Sequence, residues 1–222
     1  MNFTQKPIIS LLSSWQHTLQ LFGVDQVAAK KAFTHLTEAY SNPNRHYHTL
    51  KHIAYVLSTI ETLQAYTQDL AAIQLAAWFH DVVYDTQAKD NEEKSANYAC
   101  ELLSNLGIPA STIAHVTHLI LSTKYHQAVV DDYDSQVLLD ADLAILAANP
   151  VYYREYVQAI RQEYAWVSEV EYITGRRQVL ERFLQRSQIY FTDFMFEVAE
   201  QFARANLKAE IYILDNWESQ RK

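Results

Sequence analysis

The chain has 222 residues, 49% of them hydrophobic, so it can bury a sizeable core and is not a disordered segment. Its three glycines, Gly23, Gly107 and Gly175, are too few for a Rossmann fingerprint or a P-loop, and with four prolines they argue against a turn-rich β-sandwich or barrel. The net charge of −8 supplies no basic excess, so nucleic acid is not an expected partner.

Met1 to Ser14 lacks the basic region, apolar run and cleavage site of a signal peptide, and no apolar stretch is long enough to span a bilayer. The single cysteine, Cys100, excludes an internal disulfide framework and reads as a small core residue on a helix. A cytoplasmic protein with no membrane partner is expected.

Helical spacing of apolar residues recurs along the chain. Segment 8–22 carries Ile8, Leu11, Leu12, Trp15, Leu19 and Phe22, and Gly23 stops it. Segment 25–40 follows, and Ser41-Asn42-Pro43-Asn44 breaks it. Segment 49–66 is amphipathic, whereas 70–84 is apolar nearly all round and so belongs at the centre of the core. Segment 91–106 follows Asp90, with Glu93 placed to complete a capping box, and ends at Gly107 and Pro109. Helices are expected also at 111–125, 135–148, 151–167, 170–189 and 192–215. The fold expected is all-α: one domain over 1–222, with a site core at 45–146 and C-terminal helices at 150–222 packed on it.

Seven of the nine histidines lie between His46 and His126, and none follows. Such clustering points to a metal or proton-transfer site. His80-Asp81 closes the most apolar helix, where an ionisable pair is costly to bury unless each partner is satisfied. A divalent cation satisfies both, since neutral imidazole and carboxylate are ligands for Zn, Mn, Fe or Mg. Upstream, His48 and His52 are four apart and would share a helix face. Thr49, Leu50 and Lys51 stand between them, so the glutamate of an HExxH zinc helix is missing. One of the two is expected as a ligand and the other as a neighbour or phosphate contact. Downstream, Asp140 and Asp142 point about 200° apart on a helix. Asp142 shares the richer apolar face with Leu138, Leu139, Ile145 and Leu146, and is the carboxylate expected to point inward.

Taken in order, His48, His80-Asp81 and Asp142 resemble the signature of the HD superfamily of metal-dependent phosphohydrolases. Arg-His-Tyr-His-Thr-Leu-Lys-His at 45–52, Trp-Phe-His-Asp-Val-Val-Tyr-Asp at 78–85, Asn-Glu-Glu-Lys-Ser-Ala at 91–96 and Leu-Asp-Ala-Asp-Leu-Ala-Ile-Leu at 139–146 are similar to a bacterial branch described as predicted HD phosphohydrolases. The resemblance implies an HD-type helical bundle with added C-terminal helices. It also implies a divalent ion (Mn, Mg, Ni, Zn or Fe) held by His48, His80, Asp81 and Asp142. The general family often has an aliphatic residue at the place of His52, so His52 departs from the pattern. HD enzymes with two metals use further histidines, which makes His52 and His126 candidates for a second metal or a phosphate contact. His126 continues the stripe of Val116, Leu119, Ile120 and Thr123, whereas His115 and His118 are expected to be exposed.

The activity so implied is hydrolysis of a small phosphorylated substrate, a nucleotide or similar metabolite, by metal-activated water. Asp81 would orient the water, and Asp85 and Glu92 are further acid–base candidates. Arg45, Lys124 and Arg161 are the candidate phosphate partners. Two other readings stay open: a di-iron oxygenase on the same scaffold, and a non-catalytic module binding nucleotides or a protein. A homo-oligomer is also compatible with the sequence.

Overall fold

The computed structural model describes residues 8–219; half of the Met1–Ser14 stretch, expected to lack a signal peptide, lies outside the described residues. The described residues form ten α-helices and no strand, so the all-α expectation holds. No helix among them is long and apolar enough to cross a membrane. The described residues divide into two compact units, 8–142 and 143–219.

The first unit contains α1 (Ile8–Gln20), α2 (Gln26–Tyr40), α3 (Leu50–Thr62), α4 (Leu70–Phe79), α5 (Asn91–Asn105), α6 (Ala110–Ser122) and α7 (Tyr133–Leu143). Its centre is α4, which packs against α1, α3, α5 and α6. Every residue of α4 from Leu75 to Phe79 is fully buried, as an all-apolar helix requires. Trp78 lies edge-on to Trp15 and Phe33, with ring centroids 5.6 and 5.7 Å apart. Burying these aromatic rings and the Ile and Leu residues of α3 contributes about 1.5–3 kcal/mol per side chain before conformational entropy is set against it. Polar links fix the helices' rotation: Trp15 Nε1 donates to Ala29 O (2.8 Å) and Thr18 Oγ1 to Gln74 Oε1 (2.8 Å).

Side-chain chemistry moves several helix ends from where periodicity puts them. Thr49 accepts from Lys51 N and caps α3, which leaves His48 outside the helix and off any face shared with His52. A separate 3-10 turn, Gln64–Tyr66, takes up the end of the 49–66 segment. Helix α4 stops at Phe79 rather than running to 84, and in its last turn the Trp78 and Ala77 carbonyls meet Tyr40 Oη and His80 Nδ1. Gly23 and Gly107 adopt φ of +74° and +76° and end α1 and α5 as expected. The capping box at α5 does not form: Asp90 pairs with Lys94 at 2.8 Å instead, and Glu93 pairs with Lys124. Cys100 is exposed on α5, not a core residue.

The second unit holds the 3-10 turn Ala144–Ala147, α8 (Pro150–Glu163), α9 (Glu169–Gln185) and α10 (Asp193–Ser219). Asn206 Nδ2 donates to Leu146 O and Ala148 O (both 2.8 Å), tying α10 to the turn. Arg176 and Glu210 form a buried ion pair, with Arg176 Nε 2.7 Å from Glu210 Oε1, and Tyr153 Oη donates to the same carboxylate at 2.5 Å. Its own burial, with the Glu210 charge beside it, raises the Tyr153 phenol's pKa well above its ordinary value. Arg161 donates to Tyr164 O (2.7 Å) and Val167 O (3.3 Å) behind its own helix, with its guanidinium 4.7 Å over the Tyr172 ring.

Candidate metal centre

The C-terminus of an apolar helix leaves carbonyls that must find donors. At α4 two of them do so in ways that build a site. Tyr40 Oη donates to Trp78 O (2.9 Å), and His80 Nδ1 lies 3.0 Å from Ala77 O. A carbonyl only accepts, so Nδ1 carries the proton and the His80 Nε2 lone pair faces away from the helix. Asp81, the next residue, leaves the helix and turns its carboxylate to the same point: Oδ2 is 3.0 Å from His80 Nε2.

Two other segments bring ligands to this point. His52, in the first turn of α3, is buried, and its Nε2 lies 3.1 Å from His80 Nε2 and 3.6 Å from Asp81 Oδ2. Near the end of α7, Asp142 sets Oδ1 3.2 Å from His52 Nε2 and 3.6 Å from His80 Nε2. Its other oxygen, Oδ2, lies 2.9 Å from His126 Nε2. Three segments far apart in the chain thus converge, and Asp142 reaches the 80–81 dyad.

Two imidazole nitrogens and two carboxylate oxygens turned toward one another need a cation between them, either protons or a metal. With ligand bonds of about 2.1 Å, neighbouring donors stand about 3.0 Å apart at right angles and about 3.4 Å apart at the tetrahedral angle. The five separations that involve an imidazole run from 3.0 to 3.6 Å, which suits a first-row divalent ion. His52, His80 and Asp81 form a group that could hold a metal ion, each offering one ligand atom within 4.8 Å of the others. Without metal, burial opposes the charged form of both imidazoles. The Asp81 and Asp142 carboxylates outweigh it and hold His80 well above its ordinary value of 6.5, and His52 above it too. Burial likewise opposes ionisation of Asp81 and Asp142. His80, with His48 and His52, outweighs that at Asp81, and His126, His52 and His80 outweigh it at Asp142, so both stay well below 3.8.

The structure orders the expected residues differently from the sequence. His52, expected as an accessory, is at the middle of the cluster. His48 stands further out: its Nε2 is 3.9 Å from Asp81 Oδ2, and its ring lies against Tyr84 with centroids 4.0 Å apart. His126 reaches Asp142 from the turn after α6, not from a helical stripe, and does so with φ of +47°. His118 is exposed and pairs with Asp132 at 2.8 Å, as expected. His115 is only half-buried, beside Asp69 and Asp134 at 3.8 and 3.5 Å. Asp140 is fully buried, because residues 134–141 of α7 are buried without interruption; a face argument could not rank it below Asp142.

Asp85 and Glu92 make no hydrogen bond or ion pair with the cluster. The Asp85 carboxylate accepts from Gln87 N at 2.9 Å and is exposed, and Glu92 is half-buried in the first turn of α5. Of the three cations expected to meet phosphate, Lys124 is paired with Glu93 and Arg161 caps α8 in the second unit. Arg45 gives its guanidinium to backbone: Nη1 donates to His48 O (3.1 Å) and Asp81 O (2.6 Å), and Nη2 to Val82 O (2.8 Å). From the sequence, the one sign of this role was that Arg45 stands three residues before His48.

No family model, curated protein or solved structure matches the chain.

Proposed function

We propose that this chain is a metal-dependent phosphohydrolase of the HD type, acting in the cytoplasm on a small phosphorylated metabolite. The observation that carries this reading is the meeting of His52, His80, Asp81 and Asp142, from α3, the end of α4 and α7, at ligand-to-ligand distances. His52, His80, Asp81 and Asp142 would hold the ion. A divalent cation there supplies Lewis acidity toward a phosphoryl oxygen and lowers the pKa of water enough to provide hydroxide near neutral pH.

The chain's own groups do the rest. The Ala77 carbonyl keeps the His80 Nδ1 proton in place and so presents Nε2 as a ligand. Asp81 and Asp142 are partly exposed, with side chains 19% and 14% accessible, and so mark the side open to substrate. There, a carboxylate oxygen can accept a proton from attacking water. His126, bonded to Asp142 and 28% accessible, is placed to give a proton to a departing oxygen. Since Arg45 and Lys124 are engaged elsewhere, the ion itself is the main positive charge that a phosphate would meet.

Metal analysis of the purified protein and of His80→Ala, followed by a phosphatase screen with Mn, Mg, Ni and Co, tests the proposal. The expected result is metal bound by wild type, lost in the variant, and phosphate released from nucleotides, sugar phosphates or phosphodiesters. Metal-loaded protein that releases none, with metal content unchanged in His80→Ala, defeats it. Bound iron with an optical band and oxygen uptake would instead indicate di-iron oxygenase chemistry.

A further inference from the structure

Two of the three segments that bring ligands to the site are 45–52 and 80–85, and one residue bridges them. Arg45 donates to the carbonyl of His48 on its own segment and to those of Asp81 and Val82 on the other. Its guanidinium lies between two aromatic rings, 5.0 Å from the centroid of Tyr40 and 5.6 Å from that of Tyr84. Both rings are themselves tied to the site. Tyr40 Oη holds Trp78 O, two residues before His80, and Tyr84 packs on the His48 imidazole.

The far side of the same segment is gripped from α5. Ser95 Oγ accepts from Val83 N (3.1 Å) and donates to Val83 O (3.2 Å), and Asn91 does the same for Asp85 through Oδ1 (3.1 Å) and Nδ2 (2.8 Å). Four of the five residues after the dyad's histidine, 81, 82, 83 and 85, therefore have their backbone held by Arg45, Ser95 or Asn91. This accounts for the Asn91 and Ser95 positions of the 91–96 motif, for which the proposed chemistry has no use.

From this we infer that Arg45 is a positioning residue: by bridging the His48 carbonyl to the Asp81 and Val82 carbonyls it sets the distance between the His52 and His80-Asp81 ligands, and it is not a phosphate contact. The inference rests on the metal reading above. A guanidinium is suited to this because its planar fork reaches adjacent carbonyls at once, whereas a lysine ammonium is a single point charge on a flexible stem. Outer residues that orient metal ligands are worth about 10–100-fold in metal affinity.

The test titrates metal-free wild type, Arg45→Ala and Arg45→Lys with Co²⁺, reading affinity and the ligand-field absorption band, with far-UV circular dichroism as the control for folding. Both variants are expected to bind Co²⁺ about 10–100-fold more weakly, with a shifted or weakened band and unchanged helix content, and ethylguanidinium is expected to restore the band in Arg45→Ala. If Arg45→Ala does not fold, Arg45→Lys carries the decision. A role in overall stability alone would lower the melting temperature yet leave the band and affinity of folded Arg45→Lys as in wild type, and that result overturns the inference. So does unchanged Co²⁺ binding with a weaker affinity for inorganic phosphate only, which would make Arg45 a phosphate contact and leave the metal reading intact. Wild type that binds no Co²⁺ overturns the metal reading, and this inference falls with it.

Discussion

Replacing His52 by alanine should weaken metal binding far more than replacing His48. His52 Nε2 has three cluster atoms within 3.6 Å, and its side chain is 1% accessible. His48 Nε2 stands 3.9 Å from Asp81 Oδ2, and its side chain is 16% accessible and packed on Tyr84. Structural zinc held by four donors in zinc-finger peptides is worth about 10–16 kcal/mol at neutral pH; on that scale one donor accounts for roughly 3 kcal/mol, or about 100-fold in dissociation constant. His52→Ala should therefore lose about 100-fold, whereas His48→Ala should lose no more than about 10-fold, the lower end of the range for residues around the ligands. Calorimetric titration of each metal-free variant with Mn²⁺ or Co²⁺ gives the two constants. Melting curves of the same samples show whether the cavity left by His52→Ala has cost the fold itself. If His48→Ala loses as much affinity as His52→Ala, or more, the ranking drawn from these distances is wrong.

The metal-free cluster should also give stability a defined pH window. His80 is held above 6.5 when folded, so its contribution is complete below 6.5 and lost as pH rises through its folded value. Asp81 and Asp142 are held below 3.8, so theirs is complete above 3.8 and lost as pH falls through their folded values. Melting temperatures of metal-free protein should peak between 3.8 and 6.5 and fall on the alkaline side, and added Mn²⁺, which displaces the imidazole protons, should reverse that fall; a flat alkaline limb contradicts this. In the second unit, Arg176→Ala should cost about 3–5 kcal/mol in urea unfolding, because it strands the Glu210 carboxylate in the core; a loss under about 1 kcal/mol would show the pair to be solvated. His126→Ala and His126→Gly both remove the bond to Asp142, but only glycine relieves the positive φ. The glycine variant should be the more stable by about 1 kcal/mol in denaturant titration, and the reverse order would mean that the turn carries no strain.

The sequence by itself determined the class of fold and the elements of the site. Apolar residues at helical spacing specify ten helices because each stripe must be buried, and that signal is local to each segment. The same local logic marked His80-Asp81, since an ionisable pair closing an all-apolar helix requires partners, and marked Asp142 within a buried stretch. Tertiary structure alone decided which residues meet. His52 rather than His48 takes the inner place because Thr49 caps α3 and excludes His48 from the helix, and because of how α3 lies against α4, where His52 meets a histidine 28 residues away. Asp140 is as enclosed as its neighbours because residues 134–141 of α7 are all buried, and amphipathic patterning cannot rank positions along a stretch buried on every face. The partners of Arg45, Lys124 and Glu93 were equally invisible, since a long charged side chain has many surroundings open to it, and only the packed backbone fixes whether it meets carbonyls, a carboxylate or a phosphate.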